Sequence, residues 1–171
     1  MVCKPPFRVK VLNIVSPTFI SVRPVEFEEA AYKMELELSN YYNSAPLEGR
    51  IGILDISCGT VCIAKWNSKW FRAVVMSRSE EENSLVDNVV IRLLDLGKIV
   101  TTDVVNLQPI SPQFLSCPAL SIITHLHGLQ HWSGKKWLKE DLAKMKNILP
   151  EDHQVTLVRR GPPEQNSIGG Y

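Results

Sequence analysis

The chain has 171 residues, 44% of them hydrophobic and 22% charged, the make-up of an ordinary folded protein with one good-sized core or two small interlocked ones. Nineteen basic residues against eighteen acidic leave a formal charge of +1, so the bulk electrostatic footprint of a general nucleic-acid binder is lacking. Four cysteines are too few for a disulfide scaffold, and there is neither a signal peptide nor an apolar run of about eighteen residues; a reducing compartment and no membrane partner are expected.

From Phe7 to Pro24, "FRVKVLNIVSPTFISVRP" alternates apolar and polar residues on either side of Ser16-Pro17, which predicts two strands joined at a proline turn. In "VEFEEAAYKMELELSNYYNSAP" the residues Phe27, Ala31, Met34, Leu38 and Tyr41 recur at spacings of four and three, which places them on one helix face. That helix stops at Asn43-Ser44-Ala45-Pro46, because proline disfavours a helical conformation in the residue before it. Between Gly59 and Thr102 the period shortens: "TVCIAKW", "WFRAVVM", "NVVIRLLDL" and "KIVTT" read as four short strands of a small, strongly bent antiparallel barrel. Beyond it, "PQFLSCPALSIITHLHGL" predicts a turn and a strand. "WSGKKWLKEDLAKMKN" then predicts a helix capped by Ser133 with Leu138, Leu142 and Met145 on one face, and "QVTLVRR" a last strand. The fold class is thus mainly β with two helices (α+β). The terminal elements cannot bury their apolar faces alone, so the barrel is expected as an insertion between two halves of a second domain.

"VCIAKWNSKWFRAVV" followed by "VIRLLDLGKIVTTDVVNLQPIS" resembles the core of an extended Tudor domain, whose members read approximately C-x-A, an aromatic, W-Y-R-A, then F-x-D-Y-G-N. The flanks "VLNIVSPTFISV", the helix after it, "FLSCPALSIITHL" and a later "HWS" are similar to the staphylococcal-nuclease-like (SN-like, OB-type) half of that family. The likeness runs from about Phe7 to about Arg160. It implies a Tudor barrel at 51–108 inserted into a split SN-like domain made of 1–50 and 109–171. It also implies a non-catalytic module of germline piRNA-pathway scaffold proteins, placed in the cytoplasm and in perinuclear granules (nuage). In the family an aromatic cage holds methylated arginine from the N-terminal, arginine-rich tail of a Piwi-clade Argonaute, and the peptide lies along the groove between the two halves.

By that resemblance Trp66 falls at the first cage aromatic and Phe71 at the tyrosine of W-Y-R-A, while Leu93 replaces a phenylalanine, Leu96 a tyrosine and Lys98 an asparagine. A methylated guanidinium is held by ring faces at about 0.5–2 kcal/mol each, and leucine has no such face. Lys98 sets a like charge beside the site. The turn between Trp66 and Trp70 is also shorter than in typical members. The expected function is therefore binding of an arginine-containing tail, or of another scaffold protein, independently of methylation, at Trp66, Phe71, Leu93, Asp95, Leu96 and Lys98. Symmetric dimethylarginine reading by a residual cage is an alternative. Arg72 and Asp95 occupy family positions that stabilise the barrel, where an ion pair is the expectation.

Glu28, Glu29, Glu35 and Glu37 on the first helix read either as a solvated face or as an acidic wall for an arginine-rich tail. His125, His127 and His131 with Cys117 lack paired-ligand spacing, so no metal is expected, and no cofactor. Cys58 and Cys62 are expected to pack as small apolar residues. The nuclease-like strands "VKVLNIV" and "ALSIITHL" contain none of the acids that phosphodiester hydrolysis needs, so no enzyme activity is expected. The rival class is single-stranded RNA binding by the OB-like half, through Lys135, Lys136, Lys139, Lys144, Lys146, Arg159 and Arg160, with Glu140 and Asp141 interspersed against it.

Overall fold

The computed structural model describes residues 6–44, 56–78, 88–129 and 137–158. By internal packing the chain forms two units, one of residues 1–28 with 121–170 and one of 29–120. The helix after the first hairpin and residues 109–120 group with the barrel strands in the second unit.

In the first unit β1 (Phe7–Ser16) and β2 (Phe19–Pro24) pair antiparallel and are flanked by β8 (Ile122–Thr124) and β9 (Gln154–Leu157), in the order β8-β2-β1-β9. The ladder between β1 and β2 shifts register between Val11 and Asn13 and again between Ile14 and Ser16. The first shift breaks the strict period of two, which is why Val9, Val11 and Ile14 all reach one core despite their odd and even numbers. With Ile20 and Val22 they are buried against Leu142, Met145 and Leu149 of α2 (Lys139–Ile148) and its end. Leu138, expected on that same face, is 54% exposed because it is the residue before the helix; its N–H donates to the Asp141 carboxylate over 3.3 Å. Ser133, the expected cap, lies outside the described residues.

The second unit holds α1 (Glu28–Ser44) and five antiparallel strands: β3 (Val61–Trp66), β4 (Lys69–Arg78), β5 (Asn88–Leu93), β6 (Ile99–Asp103) and β7 (Leu107–Pro109), in the order β6-β5-β4-β3-β7. The fifth strand was not expected. Only three residues long, it follows a single 3-10 turn at Val104–Asn106 that Asp103 caps through the Val105 N–H, so no alternating pattern had room to show. One sheet face carries Cys62, Ala64, Phe71, Ala73, Val75, Val89, Ile91 and Leu93, closed by Ile56, Val104 and Leu107 into one core. Cys62 packs there as expected, and burial pushes its thiol up to about 12. Cys58 does not: it lies in the turn before β3, exposed, its thiol donating to the Met76 carbonyl over 3.0 Å.

On the opposite face stand Ile63, Trp70 and Arg72. Met34, Leu38 and Tyr42 are the buried residues of α1 that follow Ala31, so the face runs through Tyr42, while Tyr41 is 44% exposed. Four residues after Leu38 is 400° of turn and three is 300°, so periodicity barely separates the two tyrosines. Their neighbours decide: the Tyr42 ring packs against Trp70 and Phe114 at centroid distances of 5.6 and 5.9 Å. Its hydroxyl donates to the Pro109 carbonyl and accepts from the Ser111 N–H, both at 2.9 Å.

Candidate functional site

Two tight turns set the rim of the barrel sheet. Trp66 faces Lys69 across a two-residue hairpin loop, Asn67-Ser68, in which both residues take positive φ, 48° and 63°. This is the twist that a two-residue hairpin demands and that asparagine tolerates. At the second turn the Gly97 N–H donates to the Leu93 carbonyl over 2.7 Å and the Leu93 N–H to the Lys98 carbonyl over 2.8 Å. Gly97 holds φ 63°, where a side chain would be strained.

These turns bring Trp66, Phe71, Leu93, Leu96 and Lys98 to one end of one sheet face. Phe71 is 6% exposed and Leu93 not at all; both belong to the core. Trp66 and Leu96 are partly buried and pack on that core from the rim, with the Trp66 and Phe71 rings 6.1 Å apart at 60°. Lys98 swings toward the indole: its Nζ lies 5.8 Å from the Trp66 ring centroid. That is cation–π distance, worth about 0.5–1 kcal/mol at an exposed site. The ring face nearest the rim thus already carries a cation of the chain's own.

Asp95 is turned the other way. Its two oxygens accept from Arg72 Nε over 2.9 Å and from an Arg72 terminal nitrogen over 2.6 Å, and Oδ1 also accepts from the Leu120 N–H over 3.0 Å. Arg72 further donates to the carbonyls of Phe114, Cys117 and Pro118. All five guanidinium N–H groups are thereby satisfied. Burial acts to lower the Arg72 pKa, but the hydrogen bonds and charge of Asp95 more than reverse it, and the net shift is upward. The pair ties residues 112–120 to the sheet, with the Asp95 charge facing Arg72 in the interior and not the rim.

The acidic residues of α1 do not form one bare wall. Glu28 binds Lys10 and Arg23, Glu29 pairs with Lys33 one turn on, and Glu35 meets Lys69 of β4 at 2.5 Å. Glu37 is exposed. Glu29, Lys33 and Lys69 are solvated, and pairs of this sort are readily exchanged for others. Among the described residues no group of three His, Cys, Asp or Glu side chains could hold a metal, and no helix is long and apolar enough to cross a membrane. His125 and His127 are exposed; His131, Lys135, Lys136, Arg159 and Arg160 lie outside the described residues.

A Tudor domain model matches residues 1–128. The chain is 31% identical over 133 residues to Tudor domain-containing protein 1 of Homo sapiens, covering 72% of this chain and 10% of that protein. It is 24% identical over 145 residues to Tudor domain-containing 6 of Danio rerio, covering 82% and 6%. The chain therefore spans a tenth or less of the length of these relatives. Among solved structures, the human TDRD1 extended Tudor domain in complex with a symmetrically dimethylated peptide aligns with TM-score 0.79 at 21% identity, over 96% of this chain and 78% of that one. A single-residue variant of the Drosophila melanogaster Papi extended Tudor domain aligns at 0.77 and 18% in its complex with a dimethylated Piwi N-terminal peptide, and at 0.78 and 17% with the unmethylated peptide. Each covers 98% of this chain and 84% of the other. At such identities the likeness is one of fold, and that fold is the extended Tudor one.

Proposed function

The chain belongs to the Tudor domain family, a family of non-catalytic protein-interaction modules, and from that footing we propose that it binds an arginine-containing N-terminal tail of a Piwi-clade Argonaute, or another scaffold protein, whether or not the arginine is methylated. The observation that carries the reading is the rim itself. Of the four positions that would surround a methylated guanidinium, two are leucine, one ring is in the core, and the remaining indole has the Lys98 ammonium over it at 5.8 Å. An incoming methyl-arginine would have to displace that cation before gaining any ring face, so methylation adds little to the binding free energy. Backbone contacts and carboxylates of α1 would supply the affinity in its place, with Glu29 and Glu35 able to trade Lys33 and Lys69 for tail arginines and Glu37 exposed on the same helix. A single-residue variant of the Papi domain has been seen with a Piwi peptide in both its dimethylated and unmethylated forms, so the fold can accommodate either. The setting that follows is assembly of the piRNA pathway in the germline cytoplasm and its perinuclear granules.

Calorimetry of the chain with a symmetrically dimethylated arginine peptide and its unmodified twin tests the reading. Equal affinities are expected. A tenfold preference for the methylated form, worth about 1.4 kcal/mol, would overturn it and reinstate a residual cage.

A further inference from the structure

Arg72 and Arg92 stand on the same face of the barrel sheet, one row apart, and their fates differ. Every N–H of Arg72 has an acceptor. Arg92 lies in a row that crosses four strands, with Val61 opposite Val74, Val74 opposite Arg92, and Arg92 opposite Ile99. Its Nε is buried without a hydrogen-bond partner, and its guanidinium makes no ion pair among the described residues. Burial holds its pKa below the ordinary arginine value. A guanidinium nevertheless keeps its proton at neutral pH, so among the described residues no carboxylate compensates this half-buried cation. The row is open, with Val61 and Ile99 40% and 39% exposed.

We propose that this row is a second docking surface, for a protein segment that presents a carboxylate between apolar side chains. Each part of the surface has its complement in such a segment: the planar fork takes a carboxylate in two parallel hydrogen bonds, and Val61, Val74 and Ile99 take the flanking apolar groups, which exclude water and strengthen the ion pair. A nucleic-acid strand fits worse. Its phosphates recur every few ångströms and call for several cations, whereas the flanking residues of this row are apolar and the next row offers Val90 and Thr101. The surface is also distinct from the rim around Trp66: a cationic arginine tail would be repelled here, so this proposal does not depend on the reading above.

The test is nitrogen-15 NMR of the whole chain, with the Arg92 Nε–H signal assigned by its loss in Arg92→Met. The probes are a set of eight-residue peptides with a central glutamate and varied apolar neighbours, and their glutamine twins. The expected result is that glutamate peptides shift the Arg92 Nε–H and the amides of Val74 and Ile99, bind at least tenfold more tightly than the glutamine twins, and lose that preference in Arg92→Met. Glutamine twins that bind equally would overturn the proposal, as would an absence of shifts with every peptide. So would a single-stranded RNA oligonucleotide that shifts the same signal with an affinity falling steeply in salt. Arg92→Met should melt at or above the parent temperature; a lower melting point would mean that the arginine serves the fold and not a partner.

Discussion

Asp95 and Lys98 are three residues apart and the turn between them sends their charges to opposite sides. Removing a partner from a buried, fully hydrogen-bonded pair leaves an uncompensated charge, so Asp95→Ala should destabilise the chain by about 3–5 kcal/mol in denaturant unfolding. A loss below about 1 kcal/mol would reduce the pair to the standing of a surface contact. Leu93, in the core beneath the rim, has no exposure, so Leu93→Phe would overpack the core at about 1–3 kcal/mol. Leu96 and Lys98 are partly exposed and have room to change. The double variant Leu96→Tyr with Lys98→Asn should therefore melt like the parent and gain about 1 kcal/mol of preference for dimethylarginine, read by calorimetry. A variant that melts normally but ignores the methyl groups would show that the short Asn67-Ser68 loop, and not the missing ring, keeps the indole out of register.

At the scale of elements, α1 turns one face to the barrel sheet and leaves its acids outside. Glu28 is tied to Arg23 and Lys10 in the first unit, so the proposal that α1 guides an arginine-rich tail rests on the three glutamates further along. Changing Glu29, Glu35 and Glu37 to glutamine keeps helix propensity nearly constant. Binding of an arginine-rich tail should weaken at low salt, and the difference from the parent should shrink as the Debye length falls below about 10 Å. Affinity unchanged at low salt would return those residues to an ordinary solvated face. How the helix meets the sheet was only half legible. Ala31, Met34 and Leu38 followed from their spacing, whereas Tyr42 was selected over Tyr41 by Trp70, Phe114 and the Ser111 N–H, partners distant in sequence.

For the whole molecule, a buried thiol, a part-buried phenol and an ion-paired lysine point to loss of stability in alkali. The Cys62 thiol, ordinarily near 9.0, is pushed to about 12 by burial, and the Tyr42 phenol is raised, also chiefly by burial. Lys10 is raised by its hydrogen bond to Asp152. In each case the folded state holds its proton to higher pH than the unfolded chain, so the contribution is complete below the unfolded pKa and fades as pH climbs through the folded one. Stability measured by urea unfolding should begin to fall at about pH 9 and keep falling toward pH 12. Cys62→Ala should flatten that slope; an unchanged slope would mean that the thiol ionises as readily folded as unfolded.

What the sequence determined by itself was what is local: most of the order of strands and helices, from period and turn chemistry, and the identities Leu93, Leu96 and Lys98 at positions where the family resemblance implies two rings and an asparagine. The Arg72–Asp95 pair was expected from family position, and the structure makes it bidentate. Tertiary structure decided which residues of a motif face where. It placed Phe71 and Leu93 in the core while Trp66 stayed at the rim, laid Lys98 over the indole, and added the three-residue strand at Leu107–Pro109. It also separated two arginines that look alike in the sequence, giving one a full set of acceptors and the other none among the described residues. Register is the physical reason: a ladder matches residues many positions apart, and whether a charge meets a carboxylate or a valine across the strand depends on that match and not on its neighbours in the chain.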